Sequence, residues 1–243
     1  TVGKEIRLNG KKVFFKGISI HEEAPFRQGR AYSKEEASIL LGWANNWKYA
    51  NDIPTFPWKS AMALPRELLL EKQKNEWILM QQPVTALKKL RGAEKNWVRL
   101  DVTGTHKLPV YGQQFELETT ITVPHNGKCG IKLATGKNNS FAIGYHANTG
   151  KLYLDRSRCS NQGFNENFRT LSYYEAPLAA ENGQIKLRVF FDKSIVEVYA
   201  NDGALVMTAQ LFPDESENGI ELFSEGGNSV FSNSRYWQLK TAW

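Results

Sequence analysis

The stretch Phe191-Asp192-Lys193-Ser194-Ile195-Val196-Glu197-Val198-Tyr199, followed by Asn201-Asp202-Gly203, decides the fold. It holds the end of one β-rich run, a short break, a second β-rich run and a turn signal. Read outward, it predicts strands at 184–192, 195–200 and 204–211, with Asn182-Gly183 and Asp202-Gly203 as the turns. The same rhythm continues on both sides. Strands are expected near 97–103, 114–123, 129–134, 140–146, 151–155, 219–224 and 230–239. Asn126-Gly127, Thr149-Gly150 and Asn218-Gly219 supply further turns. Many short strands with regular turns predict two packed antiparallel sheets, a lectin-like sandwich over 96–243. Residues 156–182 lack periodicity and are expected as a long loop region, where binding residues usually sit.

Upstream the pattern is different. Ile6-Arg7-Leu8, Asn9-Gly10 and Val13-Phe14-Phe15 predict a hairpin within 5–20. Ser33 and Glu36 form a capping box, and Ala37, Leu40, Leu41 and Ala44 follow at helical spacing, so 34–44 is expected to be helical. From Asn45 short aromatic and aliphatic runs are broken by Pro54, Pro57 and Pro65. Strands near 47–49, 59–64, 67–72 and 77–81 would make one antiparallel, propeller-type blade over 45–82. Pro83, Val84, Leu87 and Leu90, ended by Gly92, predict a short connecting helix at 83–91 in a linker running to 95.

Composition narrows the function classes. The 243 residues, 41% hydrophobic and 23% charged, suit an ordinary globular chain with a sizeable core. The net charge of +6 comes from Lys and Arg spread along the chain, and the densest run, Lys88-Lys89-Leu90-Arg91, is short. Nucleic-acid binding would need a clustered basic stripe or a known motif, and neither is present. His21, His106, His125 and His146 are scattered, and Cys129 and Cys159 have no metal-ligand spacing, so no zinc site is expected. No apolar run approaches the ~18 residues of a membrane span, and no stretch at the start reads as a signal peptide.

Two resemblances become specific at this point. Gly42-Trp43-Ala44-Asn45-Asn46-Trp47, Pro57-Trp58-Lys59-Ser60-Ala61-Met62 and Leu64-Pro65-Arg66-Glu67-Leu68 resemble the last propeller blade of glycoside hydrolase family 32, the invertases, levanases and exo-inulinases. Tyr153-Leu154-Asp155-Arg156-Ser157-Arg158 and the opening stretch Phe191–Gly203 are similar to that family's C-terminal β-sandwich. The match covers 41–243. Separately, Leu8-Asn9-Gly10 through Ile20-His21-Glu22-Glu23, with the segment to Ala44, resembles the first strand, loop and helix of the (β/α)₈ barrel of glycoside hydrolase family 2. Residues 1–44 would then be a barrel-fragment cap covering the blade.

The first resemblance implies a retaining mechanism without metal or organic cofactor, which needs a nucleophile, a transition-state stabiliser and a general acid/base in the propeller funnel. The motifs that carry them in the family do not occur in this sequence, so no catalytic residue is assigned. Asp192 and Glu197 are not a substitute pair. The two carboxyl groups of a retaining glycosidase stand about 5–5.5 Å apart, and these two, placed along one strand, would face opposite sides as surface or turn carboxylates. Glu22 and Glu23 gain no role.

The expected function is therefore structural: a non-catalytic fragment or chimera built on the sandwich of a fructan hydrolase. A carbohydrate-binding module for fructans or related oligosaccharides is the alternative, and a β-fructosidase completed by a partner chain the third. By resemblance Trp43 or Trp47 could touch sugar, but with the other blades of the family absent from this sequence the pair is expected to bury against residues 1–44 or the sandwich. Tyr111, Phe164, Phe168, Tyr173 and Tyr174 are the loop aromatics placed to stack on a sugar ring. A homo-oligomer could cover the exposed blade face, and an extracellular or periplasmic location fits the resembled families.

Overall fold

A computed structural model describes residues 7–8, 11–12, 39–73 and 76–241. Its strands are β1 (Arg7–Leu8), β2 (Lys11–Lys12), β3 (Ile39–Leu40), β4 (Arg66–Gln73), β5 (Glu76–Pro83), β6 (Arg91–Tyr111), β7 (Gln114–Thr122), β8 (Lys128–Thr135), β9 (Phe141–His146), β10 (Lys151–Asp155), β11 (Tyr173–Pro177), β12 (Gln184–Asp192), β13 (Ile195–Ala200), β14 (Leu205–Gln210) and β15 (Gly219–Leu239). One short helix, α1 (Glu166–Thr170), lies between β10 and β11.

The sandwich follows from period-two alternation. On β7 Phe115, Leu117 and Ile121 are buried, and on β12 so are Ile185, Leu187, Val189 and Phe191. Antiparallel register sets Phe191 opposite Phe115, Val189 opposite Leu117 and Ile185 opposite Ile121. The next pairing sets Val189 opposite Val198 and Phe191 opposite Val196. Each cross-strand pair puts two apolar side chains on one face, so the register that buries one buries all. The facing layer contributes Ile131 and Leu133 from β8, Phe141 and Ile143 from β9, and Leu152 and Leu154 from β10, all wholly buried. These residues form one continuous core.

Two long strands join the layers. β15 pairs with β8 over Gly219–Glu225 and with β7 over Val230–Gln238, and between the two its register with β6 shifts from Ser224 to Ser229. β6 pairs with β15 through both halves. Gly104 and Gly226 take positive φ at this crossing, a conformation glycine adopts without strain. A ten-stranded antiparallel sheet thus folds over on itself, in the order β11-β10-β9-β8-β15-β7-β12-β13-β14 with β6 on β15. The strands expected at 219–224 and 230–239 are one strand that changes layers.

Ahead of the sandwich, β3, β4 and β5 form a three-stranded antiparallel sheet, with Ile39 opposite Glu67 and Leu70 opposite Leu79. The expected strands 67–72 and 77–81 lie inside β4 and β5. Those expected at 47–49 and 59–64 do not form. Residues 47–52 make a turn around Asn46, whose carbonyl accepts the Ala50 N–H at 2.8 Å, and 59–64 joins only through the Trp43–Met62 bridge. The helix expected over 34–44 is corrected where it can be seen. Ile39–Leu40 is a strand and Trp43 a bridge partner, because pairing with β4 outweighs a local 3.6-residue pattern interrupted by Gly42. The connecting helix is a 3₁₀ segment at Thr85–Leu90, and residues 91–95 already belong to β6. The loop region 156–182 contains α1 and β11. β1 and β2 pair antiparallel as the hairpin predicts. Val13–Phe15, His21, Glu22, Glu23 and the capping box at Ser33 lie outside the described residues, as does most of the expected 1–44 cap.

Candidate functional site

The residues singled out in the sequence meet where the segment 40–66 crosses the open edge of the sandwich between β11 and β14. Trp43 is held by its backbone neighbours, with Ala44 N–H donating to Ala61 at 3.0 Å and Ala63 N–H to Gly42 at 2.7 Å, and by its indole N–H, which donates to the Ser60 hydroxyl. Trp47 packs beside it with ring centroids 4.8 Å apart and planes inclined at 55°. The expected burial of the pair is not what the structure has: Trp43 is 38% exposed and Trp47 88%. Together they wall a cleft of about 800 Å³ whose far side is formed by Arg66, Arg156, Tyr174 and Gln210.

The floor of this cleft is polar. Arg66, at the start of β4, donates to Glu197 Oε2 at 2.7 Å, to Thr208 Oγ1 at 3.0 Å and to Gln81 Oε1 at 3.2 Å. Glu197 also accepts the Leu64 backbone N–H and, at 3.2 Å, the Tyr199 hydroxyl. Burial pushes the Tyr199 phenol up, and the adjacent Glu197 carboxylate adds to the effect. Asp192 and Glu197 are on neighbouring strands rather than one. Asp192 is exposed at the end of β12, whereas Glu197 is 2% exposed on β13, so it is not a surface carboxylate. Arg156, directly after β10, is 2% exposed. It donates to the Phe168 carbonyl at 2.8 Å and lies 3.9 Å from the Phe168 ring centroid, a cation–π contact.

The loop aromatics separate into three groups. Phe168 is wholly buried in α1 against Tyr49 and Phe212, which leaves no ring face for a sugar. Phe164 packs on the same cluster, and Tyr174 donates its hydroxyl to the Thr208 carbonyl at 2.7 Å. Tyr111 and Tyr173 are open, at 69% and 45% exposure. Tyr173 stacks on Tyr153 at 5.5 Å and its hydroxyl donates to Glu175 at 3.0 Å; burial, then Glu175, pushes its phenol up to about 12. The stacked arrangement is consistent with aromatic packing across strands. The structure therefore brings Trp43, Trp47, Tyr173 and Tyr174 to one cleft and leaves Tyr111 and Phe164 away from it.

Sequence reasoning missed Arg66, Arg156 and Gln210 as cleft residues, and Glu197 as the buried partner of Arg66. Arg156 stood in a quoted motif, but nothing local signals that a cation there is buried. No cluster of three or more metal-ligating side chains occurs among the described residues, and none of their helices is long and apolar enough to cross a membrane.

Comparison with known proteins follows the same division. Residues 27–83 match the glycosyl hydrolases family 32 N-terminal domain, and residues 86–238 match glycosyl hydrolases family 32 C terminal. Levanase of Bacillus subtilis (strain 168) is 37% identical over 216 residues, 87% of this chain and 32% of the levanase. An extracellular exo-inulinase of Aspergillus awamori is 29% identical over 212 residues, 84% of this chain and 39% of the relative. The crystal structure of exo-inulinase from Aspergillus awamori superposes with a TM-score of 0.76 at 29% identity, covering 84% of this chain and 41% of that one. The chain spans between 23% and 42% of the length of the curated relatives it matches. The likeness of residues 1–44 to a family 2 barrel gains no support, and the family 32 match reaches back into that stretch from residue 27. A homo-oligomer over the blade face likewise gains none.

Proposed function

Because the chain belongs to glycosyl hydrolase family 32, we propose that it serves as the bracing module of a fructan-acting hydrolase. In this reading the sandwich clamps the last propeller-type strands, while the catalytic carboxylates lie outside these residues. The observation that carries it is Glu197. A sandwich strand spends a buried carboxylate on the Leu64 backbone and the Arg66 side chain, the two positions where the segment 41–65 turns into β4. Gly203 supports the same contact from below β5, where its Cα lies so close to the Gln81 carbonyl that no side chain fits between them. The division into a blade ending near residue 82, a short connector holding the 3₁₀ segment Thr85–Leu90 and a sandwich that begins with β6 at Arg91 belongs to this proposal. So does the fructan substrate class, taken from the names of the levanase and exo-inulinase relatives.

Two measurements test the proposal. The purified chain is expected to release no fructose from sucrose, inulin or levan, and release above a heat-killed control would overturn the reading. Bracing requires β4 and β5 to unfold with the sandwich, so hydrogen exchange of their amides should slow to the rate set by global unfolding. Exchange of β4 and β5 far ahead of β12 and β13 would mean that the sandwich does not hold them.

A further inference from the structure

The outward face of the sandwich holds a second cavity, of about 290 Å³, which shares no residue with the Trp43–Trp47 cleft. It is lined by β7, β12, β13 and β15, and by Gln82 and Pro83 at the end of β5. Arg188 lines it, and Arg188 Nη2 is a buried donor with no hydrogen-bond partner among the described residues. A buried donor without an acceptor is costly and therefore rare, so it asks for an explanation. The nearby carboxylates do not answer it. Glu116 accepts from Arg188 Nε at 2.6 Å and from Arg91 at 2.6–2.7 Å. Glu118 accepts from Arg91 at 2.8 Å and from Arg235 at 2.6 Å. Three guanidinium groups thus meet two carboxylates, which leaves one positive charge in excess, and the Lys186–Asp202 pair beside them adds none. The backbone is also irregular here. The register of β15 with β7 shifts between Ser232 and Arg235, Asn233 takes φ +50° within the shift, and both Asn233 and Arg235 line the cavity. Bulges of this kind re-aim side chains and are over-represented beside functional sites. The Asn233 amide and the Thr120 hydroxyl, two further lining groups, have no hydrogen-bond partner among the described residues.

We infer that this cavity binds a small oxyanion, a phosphate or carboxylate group, with Arg188 Nη2 as its central donor and Arg235, Lys186, Asn233 and Thr120 around it. Charge and donor inventory select the class together. A guanidinium has donors and no acceptor, and a neutral hydroxyl would satisfy the free N–H while leaving the excess charge unbalanced. An oxyanion answers both, through the charge-assisted bonds that arginine makes to carboxylate and phosphate oxygens. Glu118 does not repel it, because arginines already hold both of its oxygens. Lys186 is 58% exposed, and an exposed pair contributes little, so its ammonium is free to turn from Asp202 to a bound anion. At about 290 Å³ the space exceeds that of one water and lies at the small end of ligand sites, which suits an ion of this size. The inference rests on neither bracing nor hydrolysis.

Isothermal calorimetry of the full chain with sodium phosphate and, separately, sodium acetate tests it, with ionic strength held constant by sodium chloride. Saturable heat is expected with at least one of the two, and which of them responds tells a phosphate site from a carboxylate site. Arg188→Lys keeps a cation beside Glu116 and removes the free N–H, so it should weaken binding about tenfold or more. Lys186→Gln, at an exposed position, should weaken it several-fold without moving the thermal midpoint, and it carries the test if Arg188→Lys does not fold. The bound anion should also slow acetylation of Lys186 in the parent chain, read by mass spectrometry, while leaving the exposed Lys137 unchanged. No saturable heat with either salt would overturn the inference. So would binding that both variants leave intact, or protection of Lys137 equal to that of Lys186.

Discussion

Replacing Glu197 by alanine tests how the sandwich grips the blade strands. The carboxylate is 2% exposed and its Arg66 partner 12% exposed at 2.7 Å. Removing it strands a mostly buried guanidinium, whose remaining bonds go to Gln81 and Thr208. It also leaves the Leu64 N–H without its acceptor. Breaking a buried pair by deleting one partner costs about 3–5 kcal/mol, and the stranded N–H falls within that range rather than adding in full. An expected loss of about 4 kcal/mol is a large share of the roughly 5–15 kcal/mol that holds a domain folded. In a chain of this size it lowers the thermal midpoint by roughly 8–16 °C. The double variant Arg66→Met with Glu197→Leu should recover much of the loss, since an apolar pair of similar volume replaces two desolvated charges. Urea unfolding of the parent, Arg66→Met, Glu197→Leu and the double variant, followed by circular dichroism, gives the coupling, which should exceed about 2 kcal/mol and change little between low and high salt. A cost below about 1 kcal/mol for Glu197→Ala, as for an exposed pair, would refute the account of Glu197 as the clamp.

Gly203→Ala attacks the same joint from the backbone: φ is +92° and a new Cβ would stand 2.1 Å from the Gln81 carbonyl oxygen, so a loss of about 3 kcal/mol is expected, with faster amide exchange in β5. Acid should weaken the opposite end of this face. Burial alone would push the Glu116 carboxyl up, but Arg91 and Arg188, bonded to it at 2.6–2.7 Å, together hold it below its ordinary 4.5. Its contribution is therefore complete above that ordinary value and is lost as pH falls through the lower folded-state value, and Glu116→Gln should flatten the stability–pH curve in that acid range. Cys129 and Cys159 are both free thiols that burial pushes up to about 12, so neither should react with a disulfide reagent at pH 8 until denaturant is added.

The sandwich was legible because its strands repeat every second residue against one core. Phe115, Leu117 and Ile121, or Val196 and Val198, alternate with polar residues in a way only one register can bury. What failed was decided by distant partners. Ser224–Ser229 looks like a break between two strands, and only the pairing of β15 with both β8 and β7 shows one strand passing between layers. Ile39 and Leu40 fit a helix as well as a strand, and β4 chose. Glu197 occupies an outward position of β13, where a carboxylate normally meets water, so its burial cannot be read until β4 is laid across it. Arg156 and Gln210 lie far apart in the chain and share a floor only because β10 and β14 end near the same edge.

The outward face of the layer β15-β7-β12-β13 is the part of the sandwich that least resembles a free surface. Sheets with one solvated face carry polar side chains there. Here Glu116, Phe190, Glu197, Tyr199 and Trp237 project outward and are each less than 5% exposed. Two features cover them: Arg66 and the blade strands at one end, and at the other Arg91, whose guanidinium lies 3.7 Å from the Trp237 ring centroid. Burial there is achieved with arginines and carboxylates rather than with a second apolar layer. Ion pairs of this kind add little adhesion over an apolar contact, but they penalise every misaligned arrangement heavily, because a shifted register strands a charge. A face built this way fixes the position of the strands above it more than it strengthens the attachment. That fits the bracing role proposed for the sandwich, and it accounts for a Glu197–Arg66 pair where a leucine–methionine contact would have adhered as well.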